Sequence, residues 1–123
     1  MATLNDRVLD NGLTVLDTEA NRVDICSSEP TSYSAATSST TLGNTTSISI
    51  SAPANASPNG RKVTLSAITG ASVTGTGTAT HFAISDTTNS RLLATGALSS
   101  SQAVTSGNTF SLTASDIRIP DPS

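Results

Sequence analysis

The sequence predicts a mainly β fold, an antiparallel β-sandwich of Greek-key, jelly-roll or immunoglobulin-like type, with one N-terminal α-helix. Three observations carry this expectation. Apolar residues alternate with polar ones in short runs, turn signals interrupt those runs every roughly eight to twelve residues, and the residue usage suits strands and turns. The chain of 123 residues holds 21 Ser and 21 Thr, and Thr favours strands while Ser favours turns. A net charge of -3 is too small, and the alternation too regular, for a disordered chain. The length suits one domain, divided here into a helical arm over 1–20 and a β-sandwich over 21–123 with a long loop at 27–44.

The helix is expected from Thr3 to about Leu16, where Leu4, Val8, Leu9, Leu13 and Leu16 recur at helical spacing. Thr3 and Asp6 resemble a capping box, and Gly12 weakens the interior. Two roles are open to it: covering an end or edge of the sheets, or docking on a neighbouring subunit. From Arg22 to Cys26 the period changes to two, with Val23 and Ile25 inward and Arg22 and Asp24 outward. Ser27 to Asn44 then reads as a long polar loop with Tyr33 and Leu42 as its only sizeable anchors, and long loops of this kind carry function more often than short ones.

Ile48 and Ile50 alternate with serines in a short strand that Pro53 closes, and Ala52 to Gly60 is dense in turn residues. Val63, Leu65 and Ala67 alternate in the next strand. Ala71 to Thr80, rich in glycine, reads as a bulged ribbon. The clearest strand, turn, strand pattern runs from Thr78 to Leu98. Phe82 and Ile84 face one way and His81, Ala83 and Ser85 the other, Asp86 to Asn89 turns the chain, and Leu92 to Ala94 resume until Gly96. Ser99 to Ser101 reads as a loop and Gln102 to Val104 as a short strand. In the last strand Phe110, Leu112 and Ala114 share one face, and a bulge near Ser115-Asp116 returns Ile117 and Ile119 to it. Phe82, Ile84, Leu92, Phe110 and Leu112 are the expected core. With two Phe, one Tyr and no Trp, that core is thin.

Composition narrows the function classes. Six scattered basic residues make no phosphate-tracking patch, so nucleic acid is not an expected partner. MATLNDRVLD has neither a basic start nor a long apolar run, so neither a secretion signal nor a membrane span is expected. Cys26 is the single cysteine and His81 the single histidine, too few soft ligands for zinc, and the carboxylates are too scattered for a calcium loop. No serine sits in a nucleophile elbow, and Gly75 to Thr80 lacks the last glycine of a phosphate loop. No enzyme activity, cofactor, metal or small-molecule substrate is expected. A carbohydrate-binding or adhesin-type sandwich is an alternative, although sugar sites favour exposed aromatic faces, and here Tyr33 is the only tyrosine and Trp is absent.

Three segments, NDRVLDNGLTVLDTEANRVDICSSEPTSYSAA, THFAISDTTNSRLLATG and FSLTASDIRIPD, together resemble a family of small structural proteins of tailed bacteriophages and prophages. The resemblance implies a virion component assembled in the host bacterial cytoplasm, a decoration or cementing protein on the capsid exterior, with tail or fibre association as the alternative. It implies the major capsid protein or other virion proteins, and copies of the chain itself, as partners, and no catalytic residues. Leu4 and Val8 of the helix and Tyr33 and Leu42 of the long loop are the expected partner contacts.

Overall fold

The computed structural model describes residues 6–119, with side chains from residue 12 onward except that of Ser99. The described residues are mainly β, with antiparallel sheets and one N-terminal helix. In chain order they form α1 (Asp6–Glu19), β1 (Arg22–Cys26), a π-helical turn (Ala35–Ser39), β2 (Thr41–Thr45), β3 (Ala54–Asn55), β4 (Arg61–Leu65) and β5 (Ile68–Val73). Then follow β6 (Gly77–Asp86), β7 (Arg91–Val104), β8 (Thr109–Leu112) and β9 (Ser115–Ile119). Contacts within the chain group α1, Ser49–Ala67 and β9 into one compact unit, and Ala20–Ile48 with Ile68–Leu112 into another. This division cuts differently from an arm over 1–20 and a β domain over 21–123.

The smaller unit is a three-stranded sheet in the order β3-β4-β9, with α1 packed against β4. Leu13 and Leu16, one helical turn apart, are buried, as are Val63 and Leu65 of β4. Lys62 and Thr64 alternate with them and both bond Asp116 of β9, through Lys62 Nζ at 3.0 Å and Thr64 Oγ1 at 2.7 Å. The helix runs to Glu19, past the expected end at Leu16, while Thr3 lies outside the described residues. A Cβ at Gly12 would meet Ile119 Cδ1 at 3.5 Å, ordinary contact distance. Gly12→Ala is therefore expected to stabilise the fold by about 1 kcal/mol in chemical denaturation, because the helix gains propensity without a clash.

Two expectations that touch the stretches entering this unit are corrected. The Ile48–Ile50 run forms no strand; Ile50 makes only an isolated bridge to Leu65, since Pro53 just beyond has no N–H to extend a ladder. The change of parity between Phe110/Leu112 and Ile117/Ile119 is not a bulge within one strand. The chain leaves β8 at Leu112 and re-enters a different sheet as β9 at Ser115, so each strand keeps its own alternation.

The larger unit is a six-stranded antiparallel sheet in the order β7-β6-β1-β2-β5-β8. Its register places Val23, Ile25, Phe82 and Ile84 on one face, all buried. Phe82 lies over Gly96 on β7, where a Cβ would stand 2.6 Å from the ring, so glycine is what lets the aromatic side chain cover that strand. The expected hairpin is present as β6 and β7. Its second strand, however, does not end at Gly96: because β6 reaches back to Gly77, residues 102–104 find partners there and β7 continues through the serine run with an irregular register. The ribbon expected at 71–80 begins instead as a regular strand, β5, whose bulge falls between Ile68 and Ala71, where Gly70 takes φ +68°. Phe110 and Leu112 are buried as expected, whereas Leu92 is only partly buried and packs on the opposite face, against Cys26, Ala36 and Ala83.

The β6–β7 turn is organised by Asp86. Its carboxylate accepts the Thr88 N–H at 2.9 Å and the Asn89 side-chain amide at 2.8 Å. The Asn89 amide, aided by the backbone N–H groups, holds the Asp86 carboxyl below its usual range, and Thr64 and Lys62 do the same for Asp116. A depressed folded-state value contributes stability that is present above the unfolded value and lost as pH falls through the folded one. The protein is thus expected to hold its stability down to about pH 4 and lose it progressively below, with the decline shallower in Asp86→Asn. Denaturation midpoints independent of pH across that range would refute the assignment.

Candidate functional site

The second face of the six-stranded sheet carries the polar chemistry. Register pairs Arg22 with Ser85, Asp24 with Ala83 and Cys26 with His81, placing these six residues together on that face. The expectation that Asp24 points outward is corrected: Asp24 is essentially inaccessible, as are Cys26, Ala83 and Ser85 beside it. The reason is the segment 27–40, which returns over this face, so that β1 is buried on both sides.

That segment is not an irregular loop, and it is shorter than 27–44, because residues 41–44 belong to β2. Its ends are tied where the Ser27 N–H donates to the Thr40 carbonyl at 3.0 Å, which makes it an Ω-shaped loop. Inside it the π-helical turn is closed by Thr40 N–H on the Ala35 carbonyl at 2.9 Å, and Thr37 Oγ1 donates to the Tyr33 carbonyl at 2.9 Å. Ala36 is fully buried against Cys26 and Ala83. The Ser and Thr hydroxyls thus satisfy the loop's own backbone, which lets a polar sequence take one ordered shape.

Beneath the loop Asp24 is held by three bonds. Arg22 grips it with Nε at 2.8 Å and Nη2 at 2.9 Å, and Thr41 Oγ1 donates at 2.7 Å. The bond to Asp24 raises the Arg22 guanidinium above its ordinary value. At the loop's other flank His81 Nδ1 lies 2.9 Å from Thr80 Oγ1, and its Nε2 lies 4.0 Å from Glu29 Oε2. Glu29, Pro30 and Thr31 with Leu92–Thr95 line an open, shallow groove of about 500 Å³.

The Cys26–His81 register pair is not arranged as a nucleophile and base. Both ring nitrogens face other groups, the Cys26 Sγ points to the Ala36 carbonyl at 3.9 Å, and burial pushes the thiol up, whereas an attacking cysteine needs the opposite shift. Among the described residues, no three His, Cys, Asp or Glu side chains cluster as a metal site, and no helix is long and apolar enough to cross a membrane.

Of the expected contact residues, Tyr33 is half-buried in the Ω-loop beside Arg22. Leu42 is buried on β2 with Gly75 and Gly77 close against it, a Cβ at Gly77 falling 3.2 Å from its Cδ2, so it serves the fold and not a surface. Leu4 lies outside the described residues, and so does the side chain of Val8. The Arg22–Asp24–Thr41 cluster, closed around the buried Asp24 carboxylate, was missed by sequence reasoning. Its one signal was Arg and Asp two apart on a strand immediately before a long loop, in a chain with few charges. Compared with known proteins, the chain matches no protein-family model, no curated protein and no solved structure.

Proposed function

We propose that the chain is a structural protein of a phage virion, a decoration or cementing subunit bound to the outer surface of the head, acting without catalysis, cofactor or metal. The observation that carries this reading is the Ω-loop. Ala36, buried against Cys26 and Ala83, and the Ser27–Thr40 backbone bond fix its underside, while Ser27, Ser28, Thr31, Ser32, Ser34, Ser38 and Ser39 are exposed. Such a surface is preorganised, so docking costs little ordering entropy, and its hydroxyls both donate and accept. Apart from Glu29 the loop is uncharged, so attachment depends on shape and hydrogen bonds and should resist moderate salt. The resemblance of the three segments to phage structural proteins adds the virion as the setting, the major capsid protein as the partner and copies of the chain as neighbours.

The test is to add purified protein to heads lacking it and measure the bound amount by sedimentation. The wild-type chain is expected to bind to saturation, and Ser28→Arg with Ser39→Arg, both exposed, to fold and fail to bind. Binding to tails alone would overturn the head assignment, and equal binding by the double variant would overturn the role of the loop. His81→Ala is expected to bind as the wild type does.

A further inference from the structure

We propose that the Asn59–Gly60 peptide is a site of spontaneous deamidation and that Arg118 of β9 holds it closed. The chemistry needs only the chain and water. The backbone nitrogen of Gly60 gives up its proton and attacks Asn59 Cγ, the Cγ–Nδ2 bond breaks, and ammonia leaves with that proton. Water then opens the cyclic imide at either carbonyl, leaving aspartate or isoaspartate at position 59. Glycine makes this sequence reactive because no Cβ shields the attacking nitrogen, and Gly60 sits at φ +84°, a conformation that selects glycine.

Arg118 opposes the reaction by geometry. Its Nε donates to the Asn59 backbone carbonyl at 3.0 Å and its Nη2 to Asn59 Oδ1 at 2.9 Å, so one edge of the guanidinium grips both oxygens from the same side. In the imide those two carbonyls flank the ring nitrogen and point apart, and a single guanidinium edge cannot hold both. Ring closure therefore requires Arg118 to let go of one oxygen. The same clamp leaves a positive group ready to receive the carboxylate that direct hydrolysis would form. The sequence contains one other Asn–Gly pair, Asn11–Gly12, which lies within α1, where the helical ladder fixes the Gly12 nitrogen. It supplies an internal reference in every sample.

The experiment is peptide mass mapping of the full chain over days in mildly alkaline buffer, comparing wild type, Arg118→Ala and Lys62→Ala. Lys62→Ala removes a different tie between β4 and β9, the one to Asp116, and leaves the clamp in place. Deamidation at Asn59 is expected to run about tenfold faster in Arg118→Ala, the scale set by losing a charge-assisted hydrogen bond. Asn11 is expected to keep its wild-type rate, as is Asn59 in Lys62→Ala. An Asn59 rate unchanged or slower in Arg118→Ala would overturn the proposal. So would equal acceleration at Asn59 in both variants, which would assign the effect to general loosening of the sheet.

Discussion

Arg22→Met is expected to destabilise the protein by about 3 kcal/mol, measured by urea denaturation at neutral pH. Asp24 is wholly buried, and the substitution strips it of two of its three bonds, leaving a carboxylate that Thr41 alone cannot satisfy. Breaking a buried pair by removing one partner costs about 3–5 kcal/mol, and the lower end applies because the Arg22 side chain is 21% exposed and part of its charge is screened by water. The loss comes from the stranded charge and not from the pair's own worth. Replacing both, as in Arg22→Met with Asp24→Leu, is therefore expected to recover most of it. A single variant within about 0.5 kcal/mol of wild type, the usual range for exposed positions, would show that the two side chains do not share a buried site.

Phe110→Ala is expected to cost about 3–5 kcal/mol, the range for emptying a buried aromatic site. Phe110 is 3% exposed on β8 and its ring lies over Gly43 of β2, with β5 between the two strands. A Cβ at Gly43 would fall 3.0 Å from the ring and 2.7 Å from the Ser72 carbonyl oxygen. The backbone contact decides the outcome. Shortening the ring with Phe110→Leu removes one clash and leaves the other, so Gly43→Ala is expected to destabilise by about 1–3 kcal/mol in either background. A neutral Gly43→Ala in the Phe110→Leu background would mean that β2 and β5 approach less closely than described.

The sequence made the β6–β7 hairpin readable because Phe82 and Ile84 alternate cleanly and Asp86 to Asn89 is turn chemistry. Phe110 and Leu112 were readable for the same reason. β2 was not, since Thr41 to Thr45 contains Gly43 and Asn44, both poor strand formers, and glycine is there to admit the Phe110 ring. The break between β8 and β9 was seen as a parity change and assigned to a bulge, because alternation reports a phase shift without saying which sheet follows it. The candidate site was half legible: the loop stood out by length, whereas burial of Asp24 depends on that loop folding back, a tertiary event without local periodicity.

The position of β1 in the middle of the larger sheet also sets an order of events. Ile25 pairs with Phe82, roughly 60 residues later in the chain, while β6 and β7 meet across a tight turn. Closing the β1–β6 connection costs entropy before any contact rewards it, so the β6–β7 hairpin and the β1–β2 pair, joined by the Ω-loop, are the more local pieces that can form early. On the ribosome β1 and its Ω-loop emerge well before their central neighbour and must wait, with Val23 and Ile25 uncovered on one flank, until β6 has been synthesised. Renaturation should accordingly be slow for a chain of this size, in the millisecond-to-second regime, and limited by the docking of β1 against the preformed hairpin.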